Sequence, residues 1–472
     1  MRGVYPVDAV RAAEEAAMAR LPEGALMQRA AHGLAVECAA LLGTVYGARV
    51  TLLVGTGNNG GDTLYAGAQL ASRGAQVSAL LLDPSRVHGG GLAALRRAGG
   101  RAVAADPALV TGDLVVDGML GIGGRGGLRG AAADLASAAG DHTTVAVDVA
   151  SGVDADTGAA GEHAVRADVT VSFGVLKTGL VVGAGAGLAG EVRLVDIGLT
   201  PEPATVHVLE GDDVRAALPV PGAADDKYTR GVVGVVAGSA QYGGAGVLAT
   251  GAALHGGAGF VRYAGTSPGA IRARYPEVVV HADARPSQLR VQAWVVGPGM
   301  GTDDEAAALL RDVLSSDVPV IVDADALTLL VDHLDLVRSR EAATVLTPHD
   351  REFARLFGDV GPDRLTAARR AADDAHATVL LKGNATVVAA PDGAAFVNPT
   401  GTPWLGTAGS GDVLSGLLGS LLASGLDTPL AAAVAAFVHG VAGQRAAASG
   451  PPTSADVLAE VRGALHAITA PV

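Results

Sequence analysis

Cysteine is almost absent from this chain: Cys38 stands alone among 472 residues. A single cysteine excludes an internal disulfide and any Cys/His zinc cluster, and it reads as a small buried helix residue. Aromatic residues make up only 3%, so the core must be packed from Val, Leu and Ala. Positive charge is scarce too: 34 Lys and Arg face 48 Asp and Glu, a net charge of -14. That deficit disfavours nucleic acid and anionic membrane surfaces as partners, because both require a basic face. It leaves room for a phosphate ligand, which a loop of backbone N–H groups can hold locally. No apolar signal segment follows Arg2, since Asp8, Glu14 and Glu15 occupy that stretch. The apolar run from Val413 to Leu426 is too short to span a bilayer and is cut by Asp427. A cytoplasmic protein with no membrane partner is the expectation.

What is abundant is Ala and Gly, with 67 glycines, yet 49% hydrophobic content argues for packed structure rather than disorder. The length exceeds one ordinary domain and fits two large α/β domains. Residues 7–42 read as helical, being rich in Ala, Leu, Glu, Met and Arg. From Val50 short β-branched runs alternate with Ala-rich stretches: 50–54, 76–82, 113–117, 144–148 and 168–173. Continuous apolar strands alternating with helices predict a parallel sheet covered on both faces. Between Leu199 and Asp226 the rhythm lapses around Pro201, Pro203, Pro219 and Pro221, which marks a domain boundary. It then restarts with runs at 232–237, 259–263, 293–296, 318–322, 343–346, 378–381 and 386–389. Two Ala/Leu helices, near 411–424 and 429–448, close the chain.

The first chemical constellation follows the run 50–54: Gly55-Thr56-Gly57-Asn58-Asn59-Gly60-Gly61-Asp62 leads into a helix. Glycines let the backbone turn sharply against a ligand, and the helix start offers free N–H groups to an anion. In a doubly wound sheet this loop lies at the carboxyl ends of the strands, where ligands bind. Two more strands end there in acids, Asp117 and Asp148. Asn59, Asp117, Asp148 and Ser151 are expected to converge, and hard oxygen donors of this kind suit a monovalent or divalent cation. The plainer alternative is a tight turn with solvated acids.

These segments resemble the NAD(P)H-hydrate epimerase domain. The resemblance lies in Gly57 to Asp62, in Val147-Asp148-Val149-Ala150-Ser151-Gly152-Val153-Asp154, and in Ala25-Leu26-Met27-Gln28-Arg29-Ala30. It implies a potassium ion held by Asn59, Asp117 and Ser151. It implies hydrate contacts from Asn58, Asn59, Gly60, Gly61 and Asp62, from Gly121, Ile122, Gly123, Gly124, Arg125, Gly126 and Gly127, and from Asp148. Asp148 is the expected proton-transfer group. Thr63 stands where a small residue is expected.

The second constellation is Gly401-Thr402-Pro403-Trp404-Leu405-Gly406-Thr407-Ala408-Gly409-Ser410-Gly411-Asp412, again entering a helix. Gly409 to Gly411 would aim N–H groups at a phosphate, helped by the helix dipole. Asp412 beside them could take a proton from a hydroxyl attacking phosphorus, or could simply cap the helix. Lys382-Gly383-Asn384-Ala385-Thr386 joins two strands, Gly297-Pro298-Gly299-Met300-Gly301 follows another, and Thr347-Pro348-His349 a third.

Together with Gly238-Ser239, Tyr242-Gly243-Gly244-Ala245 and Asp323-Ala324-Asp325-Ala326-Leu327, these look like the ribokinase-like ADP-dependent NAD(P)H-hydrate dehydratase. The resemblance implies nucleotide contacts from Lys382, Gly383, Asn384, Ala385, Thr386 and Gly411. It implies hydrate contacts from Ala245, Gly301, His349 and Asp412, with Mg2+ accompanying ADP. Asp350-Arg351 replace the Pro-Gly that usually follows Thr-Pro-His in that family, and Thr328 replaces an Asn.

The expected architecture is α/β, a Rossmann-like three-layer domain over 1–210 followed by a ribokinase-like domain over 225–472. The tandem order is similar to the bifunctional bacterial repair enzymes. It implies interconversion of the R and S hydrates of NADH and NADPH (NADHX and NADPHX), then ADP-dependent dehydration of the S hydrate, in a homo-oligomer. Two other readings share the motifs. A small-molecule kinase would yield a stable phosphorylated product, and a non-catalytic scaffold would not need Asn59, Asp117, Asp148 and Asp412.

Overall fold

The β-branched runs become strands buried on both faces, flanked by Ala-rich helices. The computed structural model describes residues 1–282 and 284–470. The chain divides into a unit spanning Gly3–Ala204 and a second unit from Thr205 onward that includes Met1–Arg2.

The strands of the first part of the chain are β1 (Arg2–Tyr5), β2 (Arg49–Val54), β3 (Gln76–Leu81), β4 (Arg101–Ala104), β5 (Leu114–Gly118), β6 (Thr144–Val147), β7 (Val169–Phe173), β8 (Leu176–Lys177) and β9 (Glu191–Val195). Seven of them form one sheet in the order β4-β3-β2-β5-β6-β7-β9, and all their pairings are parallel. The chain runs outward from β2 to β4, then returns to place β5 on the other side of β2. The carboxyl ends of β2 and β5 therefore flank a switch point, where a crevice opens in folds of this kind. Apart from it, Val4 and Tyr5 of β1 pair in parallel with Leu176 and Lys177 of β8.

The second unit contains β10 (Val206–Val208), β11 (Val232–Val236), β12 (Phe260–Tyr263), β13 (Val279–Val280), β14 (Ala293–Val296), β15 (Val320–Val322), β16 (Thr344–Leu346), β17 (Thr378–Leu381), β18 (Thr386–Ala389) and β19 (Ala395–Asn398). Their order is β13-β12-β11-β14-β15-β16-β17-β18-β19-β10. The strands from β13 to β17 pair in parallel, and β18 is antiparallel to both neighbours. The switch point lies between β11 and β14. Helix Ser410–Ala423 is buried along almost its whole length, because small residues let it approach its neighbours closely. A Cβ at Gly416 would stand 2.0 Å from the Ala249 carbonyl oxygen of helix Gly243–His255. The scarcity of aromatics and the excess of Ala and Gly thus have a structural use: helices pack backbone to backbone.

Several expectations are corrected. Residues 7–42 form two helices, Val7–Met18 and Ala25–Leu42, because Pro22 and the left-handed Gly24 (φ 76°) interrupt them. A third terminal helix, Ser454–Thr469, follows the two expected ones, started by a Thr453–Asp456 capping box. Strands β4 and β9 escape the apolar pattern because they are sheet-edge strands with exposed positions. Strands β8 and β13 are only two residues long, and β1, β10 and β19 were not among the expected runs although they are as long as strands that were. Helix Thr428–Ala447 is, among the described residues, long and apolar enough to cross a membrane, yet 67% of its apolar 18-residue stretch is buried inside the protein.

Candidate functional site

In the first unit a cleft of ≈ 950 Å³ opens at the switch point. Its wall includes Asn58, Asn59, Asp62, Gly121, Ile122, Gly123, Gly124 and Asp148. Gly55 lets β2 and the strand-end loop after β5 touch: a Cβ there would lie 1.8 Å from the Met119 carbonyl oxygen. Gly60 turns back on Gly55 in the same way, and Gly61 faces Met27 and His88. Arg125, Gly126 and Gly127 do not line the cleft. Gly127 instead packs on Gly161, with 2.9 Å from its would-be Cβ to the Gly161 Cα, and this turns the end of the loop away. Thr63 packs against Gly118 and its hydroxyl donates to the Asn59 carbonyl at 2.7 Å. The missing side chain of Gly118 provides the room that the larger Thr63 needs.

Asp148 ends β6 with φ 67°, a left-handed conformation unusual for a residue other than glycine. The backbone there is held by its surroundings. Lys177 Nζ, 1% exposed at the side chain, donates to Asp148 Oδ1 at 2.5 Å. The same ammonium donates to the Phe173 carbonyl at 2.6 Å and to Ser172 Oγ at 3.1 Å. Two further carboxyls face this pair. Burial first, then the charges of Asp148 and Glu14, push Asp62 well above the usual carboxylate range. Burial first, then Asp148, also holds Glu14 up.

Asp117 is fully buried and accepts from the Ser151 hydroxyl (2.7 Å), the Ser151 N–H (2.8 Å) and the Met119 N–H (3.2 Å). Burial nevertheless pushes its carboxyl up to about 6. Asn59 Nδ2 donates to the carbonyls of Leu120 (2.9 Å) and Val147 (3.1 Å), which turns its Oδ1 the other way. Asn59, Asp117 and Ser151 are thus drawn together around Leu120, whose N–H donates to Ser151 Oγ at 2.8 Å.

In the second unit the strand ends meet around Lys382. Its Nζ lies 2.8 Å from Asp323 Oδ1 and 3.7 Å from Glu352 Oε2. Asp323, 1% exposed, also accepts from Ser415 Oγ at 2.7 Å. Burial opposes ionisation of Asp323, but the Lys382 charge and these hydrogen bonds outweigh it and hold the carboxyl below its usual range. Asp412, in the first turn of Ser410–Ala423, has the opposite environment. Burial first, then the charge of Asp323, pushes it up to about 7. Gly411 stands beside both partners: its would-be Cβ is 3.3 Å from Lys382 Nζ and 3.8 Å from Asp323 Oδ2.

The remaining expected residues border this cluster. The Gly301 N–H donates to Asp325 at 2.9 Å, and Asp325 is among the charges that raise Asp412. Ala245 touches the same turn, 2.7 Å from a would-be Cβ on Gly299. Gly383 and Asn384 are exposed, while Ala385 and Thr386 are buried. His349 caps helix Asp350–Phe357, with Nδ1 accepting from the N–H groups of Arg351 (3.1 Å) and Glu352 (3.3 Å). Its own N–H donates to Glu352 at 2.9 Å, so it fixes the carboxylate that faces Lys382. Asp350 pairs with Arg364 at 2.8 Å, and Arg364 holds the Lys382 carbonyl at 2.8 Å. Thr328 accepts from Arg355 at 3.1 Å. The unusual residues of these loops therefore have local partners.

Sequence reasoning gave no role to Lys177, Glu14, Asp323, Glu352 and Ser415. Lys177 left one signal, a single charge inside the apolar run 175–182. Asp323 was visible as a strand-end acid without an assigned task.

Two α/β units, each bringing strand-end acids beside a glycine-lined helix start, have the arrangement of enzymes that bind small molecules at the carboxyl ends of their strands. Residues 233–461 match the family described as NAD(P)H-hydrate dehydratase, and residues 23–179 match YjeF-related protein N-terminus. The bifunctional NAD(P)H-hydrate repair enzyme Nnr of Mycobacterium tuberculosis (strain ATCC 25618 / H37Rv) is 53% identical over 441 residues, 92% of each chain. The enzyme of the same name from Mycobacterium leprae (strain TN) is 51% identical over 481 residues, 99% of this chain and 100% of that one. A ribokinase-like superfamily protein from Enterococcus faecalis V583 shares the fold with a TM-score of 0.52 at 24% identity, over 58% of this chain and 99% of that one. The chain belongs to the bifunctional NAD(P)H-hydrate repair enzyme family.

Proposed function

We propose that this chain returns hydrated NADH and NADPH to their reduced forms, with epimerisation in the first unit and ADP-dependent dehydration in the second. One observation carries the reading: Asp412 sits with its carboxyl held up beside the Lys382–Asp323 pair, at the start of a helix whose first N–H groups have no intrahelical acceptor. A proton acceptor and an anion-holding backbone thus share one spot, as phosphoryl transfer requires.

In the second unit Asp412 takes the proton of the hydroxyl at C6 of the S hydrate as that oxygen attacks the terminal phosphorus of ADP, and AMP leaves. The nicotinamide nitrogen then expels phosphate, and loss of a C5 proton restores the ring. Lys382, Gly383, Asn384, Ala385, Thr386 and Gly411 hold the nucleotide, and Ala245, Gly301 and His349 border the hydrate. No group of three or more His, Cys, Asp or Glu side chains among the described residues forms a metal cage. That suits Mg2+ carried mainly by phosphate oxygens and water. ADP is the proposed donor, and ATP competes for the same cradle.

In the first unit Asp148 moves the proton that interconverts the R and S hydrates. With hydrated NADH and ADP, absorbance of the reduced nicotinamide should return for both epimers. Asp148→Asn should leave the S epimer repaired and the R epimer stranded, a loss of ~10²–10⁴-fold in interconversion. Normal interconversion in that variant would remove Asp148 from the chemistry. A stable phosphorylated product in place of free phosphate would make the second unit a kinase.

The donor set of Asn59, Asp117 and Ser151 suits a monovalent cation: it carries one charge, no cation acts on Asp117, and Asn59 would offer Oδ1 once its amide turns from the Leu120 and Val147 carbonyls. We assign potassium there as a structural ion. Potassium should stabilise the fold by ~3 kcal/mol at a hundredfold excess over Kd and so raise the melting temperature, where choline at equal ionic strength does not. Equal melting in both salts would refute the site. A homo-oligomer in the cytoplasm completes the proposal, and the single cysteine, Cys38, is buried.

A further inference from the structure

We propose that Asp62 is the acid that works opposite Asp148, handing a proton to the C6 oxygen of the hydrate. The inference rests on the epimerase reading above and goes beyond it, because that reading gives Asp62 only a contact.

The two carboxyls line one cleft but have opposite surroundings. Asp148 is matched by the Lys177 ammonium at 2.5 Å and accepts from the Phe173 N–H at 3.2 Å. Asp62, one turn into helix Asn58–Ser72 and 8% exposed, has an Oδ1 with no hydrogen-bond partner among the described residues. A buried oxygen with no donor is stabilised when its carboxyl keeps the proton, or when a ligand fills the gap. The titratable neighbours reinforce this. Glu14 and Asp148 both disfavour a charge on Asp62. Arg11 and Lys177 act on Glu14, and His88 lies behind the adjoining Gly61. One carboxyl paired with an ammonium and one whose oxygen lacks a donor, lining the same cleft, form the arrangement expected of a base and an acid.

The hydrate suits such a pair, since its C6 carries both the hydroxyl and the ring nitrogen. Asp62 protonates the hydroxyl, the C6–O bond breaks with its electrons on oxygen, and water leaves as the nitrogen lone pair forms C6=N. A second water attacks the other face of C6, the nitrogen recovers its lone pair, and Asp148 takes the surplus proton. Solvent returns that proton from Asp148 to Asp62. Lys177 steadies Asp148 through its hydrogen bond at 2.5 Å.

The test follows R to S interconversion by the full chain without ADP. Asp62→Asn should lower kcat by at least ~100-fold with KM moved less than about threefold, and should erase the fall of kcat on the alkaline side. Asp62→Glu should keep part of the rate and that alkaline fall. ADP-dependent repair of the S epimer in the same preparations reports that the chain is folded. A rise in KM alone, an unchanged alkaline limb in Asp62→Asn, or loss of kcat in Glu14→Gln in place of Asp62→Asn would overturn the proposal. Should the wild type fail to interconvert the epimers, the epimerase reading itself falls.

Discussion

Asp412→Asn is expected to lower ADP-dependent repair of the S hydrate by ~10²–10⁴-fold while nucleotide affinity changes only slightly. The replacement is nearly isosteric and leaves the Lys382–Asp323 pair at 2.8 Å and the Asp323–Ser415 hydrogen bond untouched. What it removes is the proton acceptor. Burial first, and the charge of Asp323 second, push that acceptor up to about 7, so the ionised form grows in as pH rises. In the wild type kcat/KM for the dehydratase should climb through about pH 7, and the variant should lack that limb. Stability runs the other way. A carboxyl whose folded value lies above its unfolded value favours the native state when protonated, and that contribution fades as pH rises through the folded value. Urea denaturation should therefore show the wild type losing ground to Asp412→Asn between pH 4 and about pH 7. Turnover retained in the variant would assign the proton transfer elsewhere.

Lys177→Met is expected to be the most damaging single change in the first unit. Methionine fills most of the space but leaves the Asp148 carboxylate, 8% exposed, without its ammonium. Removing one partner of a buried ion pair destabilises by ~3–5 kcal/mol, because the remaining charge is uncompensated. The freed Phe173 carbonyl and Ser172 hydroxyl add to the loss. Epimerisation should fall with it, since Asp148 would lose the group that holds its carboxyl in place at 2.5 Å. Lys177→Arg is the informative companion. Its planar fork does not match a site built for one point charge, so it should restore less than a conservative label suggests. A melting temperature within 2 °C of wild type for Lys177→Met, about the smallest shift that 1 kcal/mol would give, would show that the pair does not hold the site together.

Much of the fold was legible because it repeats. The strands at 50–54, 76–82 and 232–237 announced themselves by short, mostly apolar runs, and each glycine-rich segment stood where a helix begins. The site was legible only as far as single loops. Asn58 to Asp62 and Gly409 to Asp412 were each readable, since each is a run of consecutive residues at a helix start. The partners were not. Lys177 reaches Asp148 across 29 positions and Lys382 reaches Asp323 across 59. His349 was readable as a loop residue, yet its place as the cap that fixes Glu352 depended on a turn the sequence does not spell out.

The sequence by itself determined the class of fold, the two glycine cradles and the acids that end their strands. Hydrophobic periodicity and turn chemistry are local, and short stretches of chain carry them whole. Only the tertiary structure decided in which direction each buried acid is shifted. Asp62, Asp117 and Asp412 are driven up while Asp323 is held down. The four are the same residue type and burial raises all of them; Asp323 alone is held down, because Lys382 pairs with it directly at 2.8 Å and Ser415 donates to it.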